Sequence, residues 1–139
     1  MNTTDAFKQI MFNQQKMALA TSVGDQSNVR IVNFVYDEEK KCVYFSTFKG
    51  NEKIEEIDEN SKVSFTTVPD NGTEHVRVHF GKVQKSNFTI YDVAEAFSKK
   101  IPGYDENIKQ AGDLLDLYEI SFDKAIVILG MGNRETIKV

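Results

Sequence analysis

A chain of 139 residues is long enough for one domain with a sizeable core, since near this length folding removes roughly two-thirds of the unfolded surface from water. With 21 acidic against 17 basic residues, a net charge of −4 and no basic run, it lacks the clustered Lys and Arg that nucleic-acid binding requires. Cys42 is the only cysteine, no apolar run approaches the roughly 18 residues of a membrane span, and the N-terminus shows no charged-then-apolar signal pattern, so a soluble, cytoplasmic protein without a disulfide or a cysteine metal cluster is expected.

A single domain over residues 1–139 is expected, with no repeat, linker or low-complexity tract. Thr3-Thr4-Asp5 offers helix caps, and Phe7, Ile10 and Met11 recur at helical spacing, which predicts an amphipathic helix over residues 4–15. Met17 to Ser22 reads as a small-residue strand closed by the turn Gly24-Asp25. Val29 to Tyr36 reads as a second strand, leading into the charged connection Asp37-Glu38-Glu39-Lys40. A third strand begins at Cys42, and Lys62 to Val68 forms a fourth, ended by the turn signal Pro69-Asp70-Asn71-Gly72. His75 to Lys85 is a long alternating strand whose apolar members are Val76, Val78, Phe80 and Val83, and its change of face near Gly81 predicts a bulge. Ser86-Asn87 is expected to cap a helix carrying Ile90, Val93, Ala94 and Phe97, stopped by Ile101-Pro102-Gly103, and Tyr104 to Ala111 to form another short helix. Leu115 to Phe122 and Ala125 to Leu129 are strands, and Gly130, Gly132 and Asn133 mark a turn before the last segment. Many strands joined by short turns, with a few helices, predict a mainly β fold: a β-barrel with packed helices.

The stretch from Cys42 to Ile57 carries the clearest chemistry. Val43, Phe45 and Thr47 alternate with Cys42, Tyr44 and Ser46, which is the period of a strand. Gly50-Asn51 then breaks the strand, Ile54 and Ile57 fall three apart, and Asn51 is placed to cap a helix whose first turns hold Glu52, Glu55 and Glu56. Lys53 runs against that pattern, because a cation in a first turn opposes the helix dipole unless an anion sits there too. Strand end, polar turn, helix N-terminus and one lysine make a candidate anion site of Thr47, Asn51 and Lys53, while Lys49 lies nearer the turn tip, toward solvent. The alternative for Lys53 is an ordinary solvated side chain. Arg30 is a candidate second cation, able to grip phosphate in bidentate fashion; its alternative is a strand residue paired with Asp or Glu.

In order and spacing these residues resemble the pyridoxamine 5'-phosphate oxidase-like family of FMN-binding split β-barrels. The resemblance rests on a strand ending in Thr47, with Asn51 four and Lys53 six residues on and an apolar helix after them. It rests also on the strand Arg30-Ile31-Val32 and on Ala18-Leu19-Ala20-Thr21-Ser22 ahead of it, and covers residues 17–68 best. What it implies is an FMN-binding split barrel, a homodimer with the flavin in a cleft between subunits, and an oxidoreductase acting on a small molecule or on NAD(P)H. Lys53, Thr47, Asn51 and Arg30 would hold the phosphate, and the segments Arg30 to Asn33, with Ile31 and Val32, and Ser46-Thr47 would line the ring. Asn33 could reach a ring oxygen or nitrogen or face out of the barrel, and His75 or Arg77 could touch the phosphate or ribityl chain.

The chain also departs from the family pattern. Asn51 stands where Ser is usual, Glu52 where the vitamin B6 oxidases have Arg, and Val35 where they have a base; there is no Trp, and the chain ends at Val139 without their Arg-containing segment. A true pyridoxamine phosphate oxidase is therefore not expected. His75 and His79 share a strand face with Arg77, but with no third ligand beside them a polar outer face outweighs a metal site. No motif names a catalytic acid, base or nucleophile. The rival readings are a non-catalytic flavin-binding stress or regulatory module, the same barrel with haem or a deazaflavin coenzyme, and an interaction domain without cofactor.

Overall fold

The computed structural model describes residues 2–139. Helix α1, Thr3–Asn13, starts on Asn2, whose side chain accepts the Asp5 N–H at 2.8 Å, so the cap lies one residue ahead of the Thr-Thr-Asp run. It buries Ala6, Phe7, Ile10 and Met11 and ends two residues before the expected boundary at residue 15. Strands β1 (Lys16–Val23) and β2 (Gln26–Asn33) form the first hairpin. The expected second strand, Val29 to Tyr36, is in fact two: β2 stops at Asn33 and β3, Val35–Asp37, begins after Phe34. Phe34 is fully buried and gives its N–H to the Gln15 carbonyl, one pair beyond the last of the β1–β2 ladder, before the chain turns into β3.

Strand β4 (Cys42–Phe48) and helix α2 (Glu52–Glu59) follow the strand-turn-helix pattern of the sequence. Strands β5 (Lys62–Val68) and β6 (His75–Lys85) have the expected bounds. Val63 pairs with Gly81 but Phe65 with Val78, so His79 and Phe80 together oppose Ser64 alone, whose hydroxyl donates to the His79 carbonyl at 2.7 Å. This two-against-one bulge sits where the alternation slipped, and it bends β6 so that its two ends join different neighbours. Gly81 is required there: a Cβ would lie 3.0 Å from Ile120 Cγ2 and 3.2 Å from the Val63 carbonyl oxygen.

The helix expected from Ser86-Asn87 begins only at α3, Ala94–Lys100. Ahead of it, Ser86 Oγ accepts the Phe88 N–H and the Asp92 carboxylate accepts the Thr89 N–H, so local side-chain bonds hold turns in place of helix. Helix α4, Tyr104–Ala111, follows Gly103, whose φ of +80° suits glycine. Strands β7 (Leu115–Ser121), β8 (Lys124–Gly130) and β9 (Asn133–Lys138) complete the chain.

The strands form one sheet in the order β2-β1-β5-β6-β7-β4-β3, with β8 on the other half of β6 and β9 beyond it. The sheet curls until β2 and β4 approach, but no ladder joins them, so the barrel stays split along that seam. Its interior is filled from β1 (Met17, Leu19), β4 (Val43, Phe45) and β6 (Val76, Val78), and α1 covers one opening. The opposite face of β4 gives Cys42 and Tyr44 to a second cluster under α3 and α4, with Phe97, Tyr104 and Ile108. Val35, at a position where vitamin B6 oxidases carry a base, is buried in that second cluster. None of the helices is long and apolar enough to cross a membrane, among the described residues.

Candidate functional site

Strand β4 delivers Thr47 on the barrel-interior face and Ser46 on the face toward α4. The chain then turns through Gly50, at φ +76°, and the Asn51 N–H returns to the Phe48 carbonyl. Asn51 Oδ1 accepts the Lys53 N–H at 2.9 Å, the N-cap bond expected from the sequence. Capped this way, α2 carries the Lys53 side chain back over its own first turn, and Nζ donates to Thr47 Oγ1 at 3.1 Å. The three residues of the candidate anion site are therefore brought together.

Lys53 is only 9% exposed and has one hydrogen bond for its three N–H donors. No carboxylate lies within ion-pair distance of it among the described residues. Burial pushes its ammonium below the ordinary lysine range, and Arg30 pushes it further in the same direction, with Glu56 partly opposing. A buried cation with unspent donors suits an anion, and a phosphate oxygen supplies the acceptors that the chain does not.

Arg30 is near enough to act on Lys53 but is not free. Its Nη2 pairs with the Glu56 carboxylate and its Nη1 donates to Thr21 Oγ1 at 2.8 Å. Glu56 also accepts from Asn28 at 3.1 Å and from Thr21 at 3.2 Å. Asn28 first, then Arg30 and Thr21, hold the Glu56 carboxyl below its usual range against the effect of its own burial. The alternative considered for Arg30, a pairing with a carboxylate, is what the fold provides. Two cations and one carboxylate still leave the corner net positive in a chain of net charge −4. Glu52 stands exposed at the start of α2, and Lys49 is exposed at the turn, as expected.

The remaining residues of the sequence reading divide by strand face. Val32 packs against the barrel core. Ile31 faces outward, in a cross-sheet row with Ala18, Thr66, Arg77 and Ile126. Asn33 and His75 sit two residues along on the same outer face, so Ile31, Asn33, His75 and Arg77 lie on a different face from Lys53 within one chain. His75 Nε2 accepts from Arg77 at 3.1 Å, and its Nδ1 lies 2.7 Å from the Thr73 carbonyl. Both ring nitrogens are committed, in the tautomer protonated at Nδ1.

A cleft of about 520 Å³ opens beside Lys53, with Ser46, Thr47 and Asn51 on one side. Its other wall is α4, which presents Tyr104, Asn107 and Gln110. Tyr104 shares a short hydrogen bond with Ser46 and stacks on Phe97 with ring centroids 4.8 Å apart. Sequence reasoning found α4 but not this role for it. The usable signal was the recurrence of polar residues every three positions, at 104, 107 and 110, on a helix whose Ile108 is buried. Glu56 was read only as a first-turn acid, and nothing local marks it as the partner of a residue 26 positions earlier.

The same fold occurs in solved structures of low sequence identity. General Stress Protein 26 from Bacillus anthracis str. Sterne aligns with a TM-score of 0.71 at 15% identity over 100% of both chains. A FAD-binding protein from Mesorhizobium loti aligns with a TM-score of 0.66 at 16% identity, covering 99% of this chain and 96% of that one. A heme binding protein from Mycobacterium smegmatis gives a TM-score of 0.79 at 10% identity; 99% of this chain matches, but it spans only 58% of that protein. No curated protein matches the sequence. The family model described as pyridoxamine 5'-phosphate oxidase-like matches residues 10–134, and the chain belongs to that family.

Proposed function

We propose that this chain binds FMN, with the phosphate on Lys53, and serves as a flavin-dependent oxidoreductase of a small molecule or NAD(P)H. The observation that carries this reading is the buried Lys53 ammonium, held by Thr47 and the Asn51-capped helix, with donors unspent and no carboxylate within ion-pair distance among the described residues. The split seam adds to it. Strand β2 pairs only with β1, and β4 beyond Tyr44 pairs only with β7, so both turn a free backbone edge toward the seam. Free N–H and C=O groups along Arg30 to Asn33 and Ser46-Thr47 suit the polar rim of a flavin ring.

In this account Lys53 binds the phosphate, Thr47 orients Lys53, and Asn51 fixes the helix start from which it projects. Arg30, fixed by Glu56, adds a positive field and no ligating nitrogen of its own. When bound, the flavin supplies the electron chemistry, and the protein holds and tunes it. A second copy would close the cleft by covering the outer face of β1, β2, β5 and β6, where Val29 is 63%, Ile31 57% and Phe80 88% exposed. Asn33, His75 and Arg77 would reach the flavin of such a pair across that shared face.

The test is a titration of the purified chain with FMN, followed by the absorption shift and the quenching of flavin fluorescence, with haemin run in parallel. Saturable binding of one FMN per chain, with NAD(P)H-dependent bleaching, supports the reading; a Soret-band complex without flavin binding replaces the cofactor. Light scattering should give twice the chain mass of 15.8 kDa, and a monomer that still binds FMN tightly excludes the shared cleft. Pyridoxamine phosphate should not be oxidised at an ordinary enzymatic rate, because Glu52 and the buried Val35 stand where the vitamin B6 oxidases place cations. Oxygen-dependent pyridoxal phosphate formation under saturating FMN measures this directly.

A further inference from the structure

A second cavity, of about 490 Å³, lies between the end of α1, strand β3 and helix α3, and shares no residue with the cleft beside Lys53. Val35, Tyr36 and Tyr44, all buried, form its floor, and Phe12, Val93 and Ala96 add apolar wall. Around them stand four carboxylates, of Asp37, Glu38, Asp92 and Glu95, against the one cation of Lys99. Glu38 pairs with Lys8 at 2.7 Å and Glu95 with Lys99 at 2.9 Å. Asp37 accepts the Tyr44 hydroxyl at 3.1 Å and the Lys40 N–H at 3.0 Å, and Asp92 accepts the Thr89 N–H at 2.8 Å. Neither Asp37 nor Asp92 has a Lys or Arg side chain as ion-pair partner among the described residues.

Tyr36 is the group that points to a ligand. It is 8% exposed, with its ring edge-on to Phe7 at 5.4 Å and to Phe12 at 6.0 Å, yet nothing among the described residues hydrogen-bonds its hydroxyl. The one enclosed side-chain oxygen or nitrogen without a partner, among the described residues, is Gln14 Oε1, so the Tyr36 oxygen is not sealed in the core and opens to the cavity it lines. Burial, then Glu38, Cys42 and Asp37, push that hydroxyl up to about 12, which keeps it a neutral phenol able to accept a hydrogen bond. An anion would be repelled by four carboxylates. An uncharged apolar molecule would cover Asp37 and Asp92 without compensating them and leave the Tyr36 oxygen unpaired. A metal ion lacks ligands, since no three His, Cys, Asp or Glu side chains converge among the described residues. We infer that this cavity binds an organic amine, its apolar body on the floor of Phe12, Tyr36 and Tyr44 and its ammonium group between Tyr36 Oη and the carboxylates of Asp37 and Asp92. The ring of Phe12, 46% exposed, adds a face suited to a cation or to an aromatic body.

The experiment measures by calorimetry the binding of phenethylamine, phenethyl alcohol, phenylacetate and Nα-acetyl-lysine amide to three proteins. These are the native chain, the double variant Asp37→Asn/Asp92→Asn, and Tyr36→Phe. Asn keeps an acceptor for the turn bonds, and Tyr36→Phe removes one unbonded oxygen, so at least one variant should melt with the native chain. Native protein should bind phenethylamine about 10-fold or more tighter than the alcohol and show no saturable binding of phenylacetate. The double variant should lose roughly 10- to 100-fold for the amine, and Tyr36→Phe roughly 3- to 10-fold. FMN binding should stay within about twofold of native in both variants, because no residue is shared with the Lys53 cleft. Amine and alcohol bound equally, amine binding undiminished in both variants, or no amine binding by the native chain overturns the site while leaving the flavin reading intact. Tighter binding of the lysine amide than of phenethylamine overturns a small-molecule ligand in favour of a protein lysine.

Discussion

Replacing Lys53 by Met keeps the length and apolar stem of the side chain and removes its charge. In the folded chain that charge is desolvated, lies near Arg30 and holds one hydrogen bond, to Thr47 at 3.1 Å. A lysine whose folded pKa lies below its unfolded 10.5 weighs against the fold: the cost is full below the folded value and fades as pH rises toward 10.5. Met abolishes the cost and loses a hydrogen bond of about 0.5–1.5 kcal/mol, which leaves a net gain on the order of 1 kcal/mol for the empty protein at neutral pH. For a chain of this size that gain raises Tm by roughly 3–5 °C. The phosphate ligand responds in the opposite sense, losing about 1.5–3 kcal/mol, or one to two decades of affinity, with its charge-assisted contact. Thermal melts in phosphate-free buffer and FMN titrations of both proteins read the two effects separately. The stability advantage of the variant should shrink as pH rises toward 10.5. A variant less stable than the native chain, or one that binds FMN as tightly, would refute the assignment of Lys53 as a cation kept for an anion.

Glu56→Gln should cost about 1–2 kcal/mol of stability, since it weakens three side-chain partnerships at once. The Glu56 contribution is present above its unfolded 4.5 and lost as pH falls through its depressed folded value, so acid melts of the variant should be flatter there. Burial pushes the Lys100 ammonium down to about 7, even though it donates to the Met11 and Phe34 carbonyls at 2.9 Å and sits 3.6 Å over the Phe34 ring. Stability of the native chain relative to Lys100→Met should therefore rise between pH 7 and 10.5, as denaturant midpoints over that range will show. Gly81→Ala should lose about 1–3 kcal/mol in urea melts, because the added Cβ meets a backbone carbonyl that cannot move without breaking the bulge.

Most strands were legible because one face of each is buried and the period of two survives in the sequence. Even the bulge of β6 was marked, by Gly81 and by the slip from Phe80 to Val83. The break at Phe34 was not, because Phe34 and Val35 are consecutive apolar residues buried in two different cores, a division made by α3 and α4 far along the chain. For the same reason both faces of β4 are covered, one by each core. The start of α3 was misplaced because Ser86 and Asp92 spend their oxygens on local turns that compete with helix. At the site, Thr47, Asn51 and Lys53 were legible since one strand-turn-helix unit carries them. Glu56 with Arg30, and α4 with Ser46, are pairings over 26 and 58 residues, set by the curl of the sheet and not by any local pattern.

The central claim is that the buried Lys53 is held for a flavin phosphate. The most direct measurement compares FMN with riboflavin on the native chain, by fluorescence quenching in phosphate-free buffer. FMN should bind at least about 10-fold tighter than riboflavin, the least that a charge-assisted phosphate contact contributes. Equal affinity for the two, or no saturable binding of FMN, would contradict the account.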